Sequence, residues 1–117
     1  MKDFRKLKVW EKAHKFTLKI YKITEKFPRE ELYGLTSQIR RACVSIPTNI
    51  AEGCVRSSDA DFARFLYIAL GSTSELEYLM MLSVDLNFIK KELHLELNSE
   101  INEIKMMLIG MIKKLKA

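Results

Sequence analysis

The sequence predicts an all-α protein, an antiparallel up-and-down four-helix bundle, and three observations carry that expectation. Four stretches repeat apolar residues at steps of three and four, the period of one helix face. No run alternates apolar and polar residues for long enough to make a strand. Only four glycines and two prolines interrupt 117 residues, and 48% of the residues are apolar. That composition suits helices joined by short links. The length accommodates one core and not two, so residues 1–117 are expected to be one domain.

The first helix is expected over about residues 3–26, with Val9, Ala13, Phe16, Ile20, Ile23 and Phe27 on its apolar face. Pro28 ends it, because proline disfavours helical geometry in the residue before it. The second, about 35–55, places Leu35, Ile39, Ala42, Ile46, Ile50 and Gly53 on one face. "RSSDAD" then breaks the pattern, and Ser58 with Asp61 three residues later resembles a capping box, with Asp for the usual Glu.

The third helix, about 59–86, has a main stripe of Phe62, Phe65, Leu66, Ala69, Leu76, Leu79 and Met80. Tyr67, Ile68, Leu70, Met81, Leu82 and Val84 lie outside that stripe. A helix apolar nearly all round needs cover on more than one side, and in a chain this short a second subunit is the expected cover. Those six residues are therefore the candidate oligomer interface. The fourth helix, about 92–114, carries a heptad-like stripe of Leu97, Ile101, Ile104, Leu108, Met111 and Leu115.

The segment "SIPTNIAEG", residues 45–53, sets a proline, an asparagine and a glutamate inside the second helix. Pro47 removes the bond its N–H would give to the Cys43 carbonyl and should kink the helix. Ser45, Thr48 and Asn49 can rebond freed groups locally. Arg41, Ser45, Thr48 and Glu52 share a stripe beside the apolar face, and the third helix offers Gly71, Ser72, Ser74 and Glu75 opposite. A polar network of Ser45, Asn49, Glu52, Ser72 and Glu75 would fix the register of the two helices. The alternative, that Asn49 and Glu52 line a ligand or RNA site, stays open.

Charge is unevenly spread. The net charge is +5, yet residues 1–27 hold nine basic against three acidic side chains, and residues 59–88 one against five. Lys8, Lys12, Lys15, Lys19, Lys22 and Lys26 alternate steps of four and three, so they keep to one face over about 27 Å. A solvated face usually mixes signs to gain helical ion pairs, and here Glu11 and Glu25 sit beside the row. Six like charges suit an extended polyanion, and Arg40 and Arg41 add guanidinium groups that match phosphate geometry. These eight residues form the candidate nucleic-acid surface. A purely solvated row, and contact with a membrane surface or an acidic protein, are the alternatives.

Little points to catalysis. The two histidines, His14 and His94, fall on different helices, and no nucleophile, base and orienting group stand together. Glu11 and His14 match the Glu-x-x-His spacing of di-iron bundles, but such a site needs the motif twice and this chain has it once. No enzyme activity, metal, cofactor or small-molecule substrate is expected. Cys43 and Cys54 would stand about 16 Å apart along one helix, beyond the roughly 7 Å reach of a disulfide, and read as small core residues. The opening "MKDFRKLKVWEKAHKF" contains no apolar run long enough for a signal peptide or membrane span, so a cytoplasmic location is expected.

Four blocks carry a family resemblance: "LKVWEKA" (7–13), "FPREELYGL" (27–35), "QIRRACVSIPTNIAEG" (38–53) and "FARFLYIALGSTSELEYL" (62–79). In order and spacing they resemble the bacterial four-helix-bundle proteins of the 23S ribosomal RNA intervening-sequence family. That resemblance implies an antiparallel bundle assembled as a homopentamer, and it carries over no catalytic residue. A more distant branch consists of accessory proteins of diversity-generating retroelements, which bind a reverse transcriptase and nucleic acid. Partners implied are thus other copies of the chain, RNA or DNA, and, in the second reading, a protein such as a reverse transcriptase.

Overall fold

The computed structural model describes residues 2–116. It is an antiparallel four-helix bundle: α1 (Lys8–Thr24), α2 (Leu35–Cys54), α3 (Asp59–Asp85) and α4 (Lys91–Lys116). Short 3-10 turns at Phe4–Lys6 and Arg29–Glu31 precede α1 and α2. The first helix thus starts later than its periodicity suggests. The Asp3 side chain caps the 3-10 turn, and Leu7 is extended (φ −87°, ψ 124°), which separates that turn from α1. At the other end the Phe27 amide bonds the Thr24 carbonyl, and the chain leaves the helix before Pro28.

Each apolar stripe faces one shared core. Ile20, Ile39, Ile50, Leu66, Ala69, Leu76, Met80, Leu97, Ile101, Ile104 and Leu108 have no exposed surface. In α4 the line continues to Ile112, while Met111 and Leu115 are only half-buried. A straight helix turns every 3.6 residues, so the buried line drifts off a strict heptad within a few turns. Ser58 caps α3 as its sequence suggests, accepting the Asp61 amide at 3.1 Å. The Asp61 carboxylate instead goes to Arg64 at 2.9 Å.

Packing is uneven. The α2–α3 interface is the most extensive, α3–α4 and α1–α2 follow, and α1–α4 is sparse. Gly53 explains the closeness of α2 to α3: a Cβ there would stand 2.7 Å from Phe62 Cδ1 and 3.0 Å from Phe65 Cβ. Buried hydroxyls are returned to their own helices, Thr17 to the Ala13 carbonyl, Thr24 to Ile20 and Ser83 to Leu79, each at 2.8 Å. Both cysteines are free and buried. Burial pushes the Cys43 thiol up to about 11, which makes it a core side chain and not a nucleophile.

α2 runs continuously through Pro47, which is itself buried. The carbonyl that Pro47 leaves free, that of Cys43, lies 3.4 Å from the Thr17 hydroxyl of α1. Asn49 serves a different group, donating to the Ser45 carbonyl at 2.8 Å and to Ser45 Oγ at 3.0 Å. Thr17 has one proton and gives it to Ala13 at 2.8 Å, so the Cys43 carbonyl receives only a long, shared contact from the neighbouring helix. Asn49, among the local side chains the sequence suggested, bonds Ser45 instead.

Gly53→Ala is expected to lower stability by about 1–3 kcal/mol, since Phe62 must shift in a packed core. Gly71, with nothing within 4 Å of its added Cβ, supplies the control: Gly71→Ala in the isolated subunit is expected to gain roughly 0.5–1 kcal/mol of helix propensity. Denaturant midpoints of the two variants check this, and a neutral Gly53→Ala would contradict the close-approach account.

Candidate nucleic-acid interface

The lysine row of α1 divides once α4 lies beside it. Lys12 pairs with Glu103, and Lys19 with Glu96 at 3.0 Å and Glu100 at 2.7 Å. Lys15 pairs along its own helix with Glu11 at 3.2 Å. Among the described residues Lys8, Lys22 and Lys26 meet no carboxylate within ion-pair distance. Half of the row is thus engaged, and two of its members close the α1–α4 seam. The apolar packing there is sparse, and the long lysine and glutamate side chains span the gap. The hydrogen bonds Lys19 donates to Glu100 and then to Glu96 raise its pKa, against the opposing effect of burial. A signal for this was present in the sequence: Glu96, Glu100 and Glu103 step by four and three, as the lysines do.

Arg40 is also committed. Its Nε donates to Thr24 Oγ1 at 2.9 Å, a terminal nitrogen donates to the Tyr21 carbonyl at 3.2 Å, and its guanidinium lies 4.5 Å from the Tyr21 ring centre. It closes the C-terminal turn of α1, where cations satisfy late carbonyls. Arg41 is exposed.

The α2–α3 polar residues assemble in part. Ser72 donates to Ser45 Oγ at 2.9 Å, and with the Asn49 bonds this links Asn49, Ser45 and Ser72 across the two helices. Glu52 and Glu75 stand outside it, exposed and without a hydrogen-bond partner among the described residues. On the outer face of α3, Tyr67, Ile68 and Met81 are exposed by 46%, 44% and 49%. Leu70, Leu82 and Val84 are half-buried against the core instead. Tyr78, which periodicity did not single out, is 56% exposed on the same helix. Glu11 and His14 do not converge on a common point: the carboxylate holds Lys15, and the imidazole stacks on Trp10.

Antiparallel topology creates a site that no single helix announces. The start of α1, the end of α2, the start of α3 and the end of α4 meet at one end of the bundle. The Lys2 amide bonds the Cys54 carbonyl at 3.0 Å, and Lys116 Nζ reaches the Tyr67 hydroxyl at 3.2 Å. Residues 2–8, 54–66 and 109–116 bring nine cations and three carboxylates to this pole. Asp3 pairs with Arg5, and Asp61 with Arg64 and Arg56. Lys2, Lys6, Lys8, Lys113, Lys114 and Lys116 remain exposed without a carboxylate partner among the described residues. Between Leu7, Lys8 and Val9 on one side and Met107, Met111 and Lys114 on the other, the α1–α4 seam opens into a shallow groove with Lys8 and Lys114 on its rim.

The model of the 23S rRNA-intervening sequence proteins matches residues 5–110. The chain belongs to this family. A crystal structure of an S23 ribosomal protein family member from Bacteroides thetaiotaomicron, described there as of unknown function, is similar at 32% identity and a TM-score of 0.83. The similarity covers 90% of this chain and 95% of that one. None of the curated proteins matches. The family match reaches into all four helices but stops short of Lys113, Lys114 and Lys116. No described helix is long and apolar enough to cross a membrane.

A double-mutant cycle on Lys19→Gln and Glu100→Gln is expected to show coupling of about 0.5–1 kcal/mol, shrinking in roughly 1 M salt. The raised Lys19 pKa sets the pH window. Its contribution should be complete below the ordinary lysine value of about 10.4 and vanish as pH climbs through the higher folded value. Zero coupling at low salt would remove the seam's electrostatic role.

Proposed function

We propose that this 23S rRNA-intervening sequence family protein is a non-enzymatic, homo-oligomeric nucleic-acid-binding protein of the cytoplasm. The observation that carries the reading is the basic pole, where six lysines have no carboxylate partner among the described residues while the carboxylates nearby are largely spoken for. Clustered unpaired cations repel one another. A polyanion relieves that repulsion and releases counterions on binding, which favours RNA or DNA phosphates. Phosphate contacts of this kind position a nucleic acid without reading its sequence. Of the original lysine row, Lys8 belongs to this surface directly, and Lys22 and Lys26 carry free charge at the opposite end.

Self-association is supported by the outer face of α3. Tyr67, Ile68, Tyr78 and Met81 are all more than two-fifths exposed on one helix, and a subunit of 13.7 kDa gains by covering them. The number five follows from the family resemblance alone. In an oligomer several poles bind one polyanion with avidity. The same apolar face favours a second reading, an assembly or adaptor protein acting through protein contacts such as those with a reverse transcriptase.

Two measurements test the proposal. Replacing Lys113, Lys114 and Lys116 with Gln is expected to flatten the dependence of log affinity on log salt, by about 0.7–0.9 for each phosphate the variant no longer neutralises. Lys12→Gln with Lys19→Gln should lower the unfolding midpoint and leave the slope alone. An unchanged slope in the pole variant overturns the assignment of phosphate binding to that pole. Light scattering should give a mass several times that of the subunit, and Ile68→Glu with Met81→Glu should reduce it. A monodisperse wild-type monomer overturns the interface, whereas an oligomer that ignores all nucleic acids favours the adaptor reading.

A further inference from the structure

The phosphate reading leaves one feature of the pole unused. The Arg5 guanidinium lies 4.8 Å from the Phe4 ring centre. Phe4 meets Trp10 edge-on, with centres 4.8 Å apart and planes at 62°. Trp10 in turn is stacked on the His14 imidazole at 5.0 Å, the planes within 9° of parallel. Phe4 and Trp10 pack against the core with one side and are only half-buried, and His14 is exposed, so the core covers the column in part. Leu18 and Tyr21 carry the line further along α1 at steps of four and three, 55% and 40% exposed, with the Arg40 guanidinium over one face of the Tyr21 ring. From Trp10 to Tyr21 the line covers about 16 Å, a length that spans several nucleotides of an extended strand.

Aromatic faces beside free cations discriminate between forms of nucleic acid. A duplex keeps its bases inside and offers the protein mainly phosphates and groove edges, so it has little use for a ring. A single strand offers both: its bases stack on aromatic side chains, and its phosphates follow a basic track. We propose that the Phe4–Trp10–His14 column is a stacking platform for single-stranded nucleic acid, with Lys6 and Lys8 holding the strand's phosphates. The proposal rests on the nucleic-acid reading above and names the form of ligand that reading left open. His14, at the exposed end of the column, presents a ring face to the incoming base. RNA and DNA strands share this chemistry.

Trp10 is the single tryptophan of the chain, so its emission reports on the platform alone. The full-length protein is titrated with a mixed-sequence RNA strand of about twelve nucleotides, its DNA counterpart, and the duplex of each with its complement. The single strands are expected to quench Trp10, and the duplexes to bind more weakly without changing its emission. Quenching by either strand supports the platform, and the tighter of the two identifies the natural ligand. Trp10→Leu, followed by polarisation of a labelled strand, should weaken single-strand binding about fivefold to a hundredfold. His14→Ala alters an exposed side chain and keeps the test decisive if Trp10→Leu disturbs folding: it should weaken strand binding severalfold and leave duplex affinity unchanged. Equal affinity for strand and duplex with unaltered Trp10 emission overturns the platform and leaves the phosphate reading standing. Failure of every oligonucleotide to bind overturns both.

Discussion

The close approach of α2 to α3 at Gly53 organises this molecule. With no side chain at Gly53, Phe62 and Phe65 lie against the α2 backbone, and the tight link to Ser58 returns the chain antiparallel at once. The Ser45–Ser72 bond then holds the register farther along the pair. α4 packs on α3 and α1 on α2, so the α1–α4 boundary is simply what remains. It has the sparsest packing and the most interhelical ion pairs. Any change that loosens the α2–α3 pair would shift every other boundary, because α1 and α4 dock on it from opposite sides.

That arrangement also decides where charge is free. In the middle of the bundle the lysines of α1 are balanced by the glutamates of α4. Toward the pole the glutamates run out, and α4 ends in Lys113, Lys114 and Lys116 opposite Lys6 and Lys8. Part of that basic cluster answers the negative end of the α4 dipole. The cluster exceeds what one helix terminus needs, since α1 and the α2–α3 link add cations of their own. A bundle 43 Å long with its free charge at one end steers an anionic partner toward that end.

The candidate site was partly legible before the fold. Lys8, Ser45, Asn49 and Ser72 were singled out by type and spacing, and the structure puts Lys8 on the pole and joins the other three. Glu52 was grouped with them because it shares the stripe of Ser45 on the second helix, and Glu75 because it follows Ser72 in the small polar patch of the third, yet both are exposed to water. Leu70, Leu82 and Val84 looked surplus to the bundle only because a single helix does not show how far its neighbours wrap around it. Lys113, Lys114 and Lys116 were passed over for a different reason. At the end of a helix they look like ordinary terminal lysines until Lys2, Lys6 and Lys8, more than a hundred residues away, are brought alongside.

The sequence alone determined the four helices, their buried stripes, the Ser58 cap and the blocks that identify the family. All of these follow from spacing along one chain segment, and an α-helix repeats every 3.6 residues wherever it is placed. Which lysines are free, which group meets the carbonyl left open by Pro47, and how Arg40 is used were decided only by tertiary structure. Each depends on a partner from another helix: Glu96 and Glu100 for Lys19, Thr17 for the Cys43 carbonyl, and Thr24 for Arg40. Which face of a helix turns to the core is governed by periodicity, which is local. The availability of charge is governed by distances of a few ångströms between segments that only the packed bundle brings together.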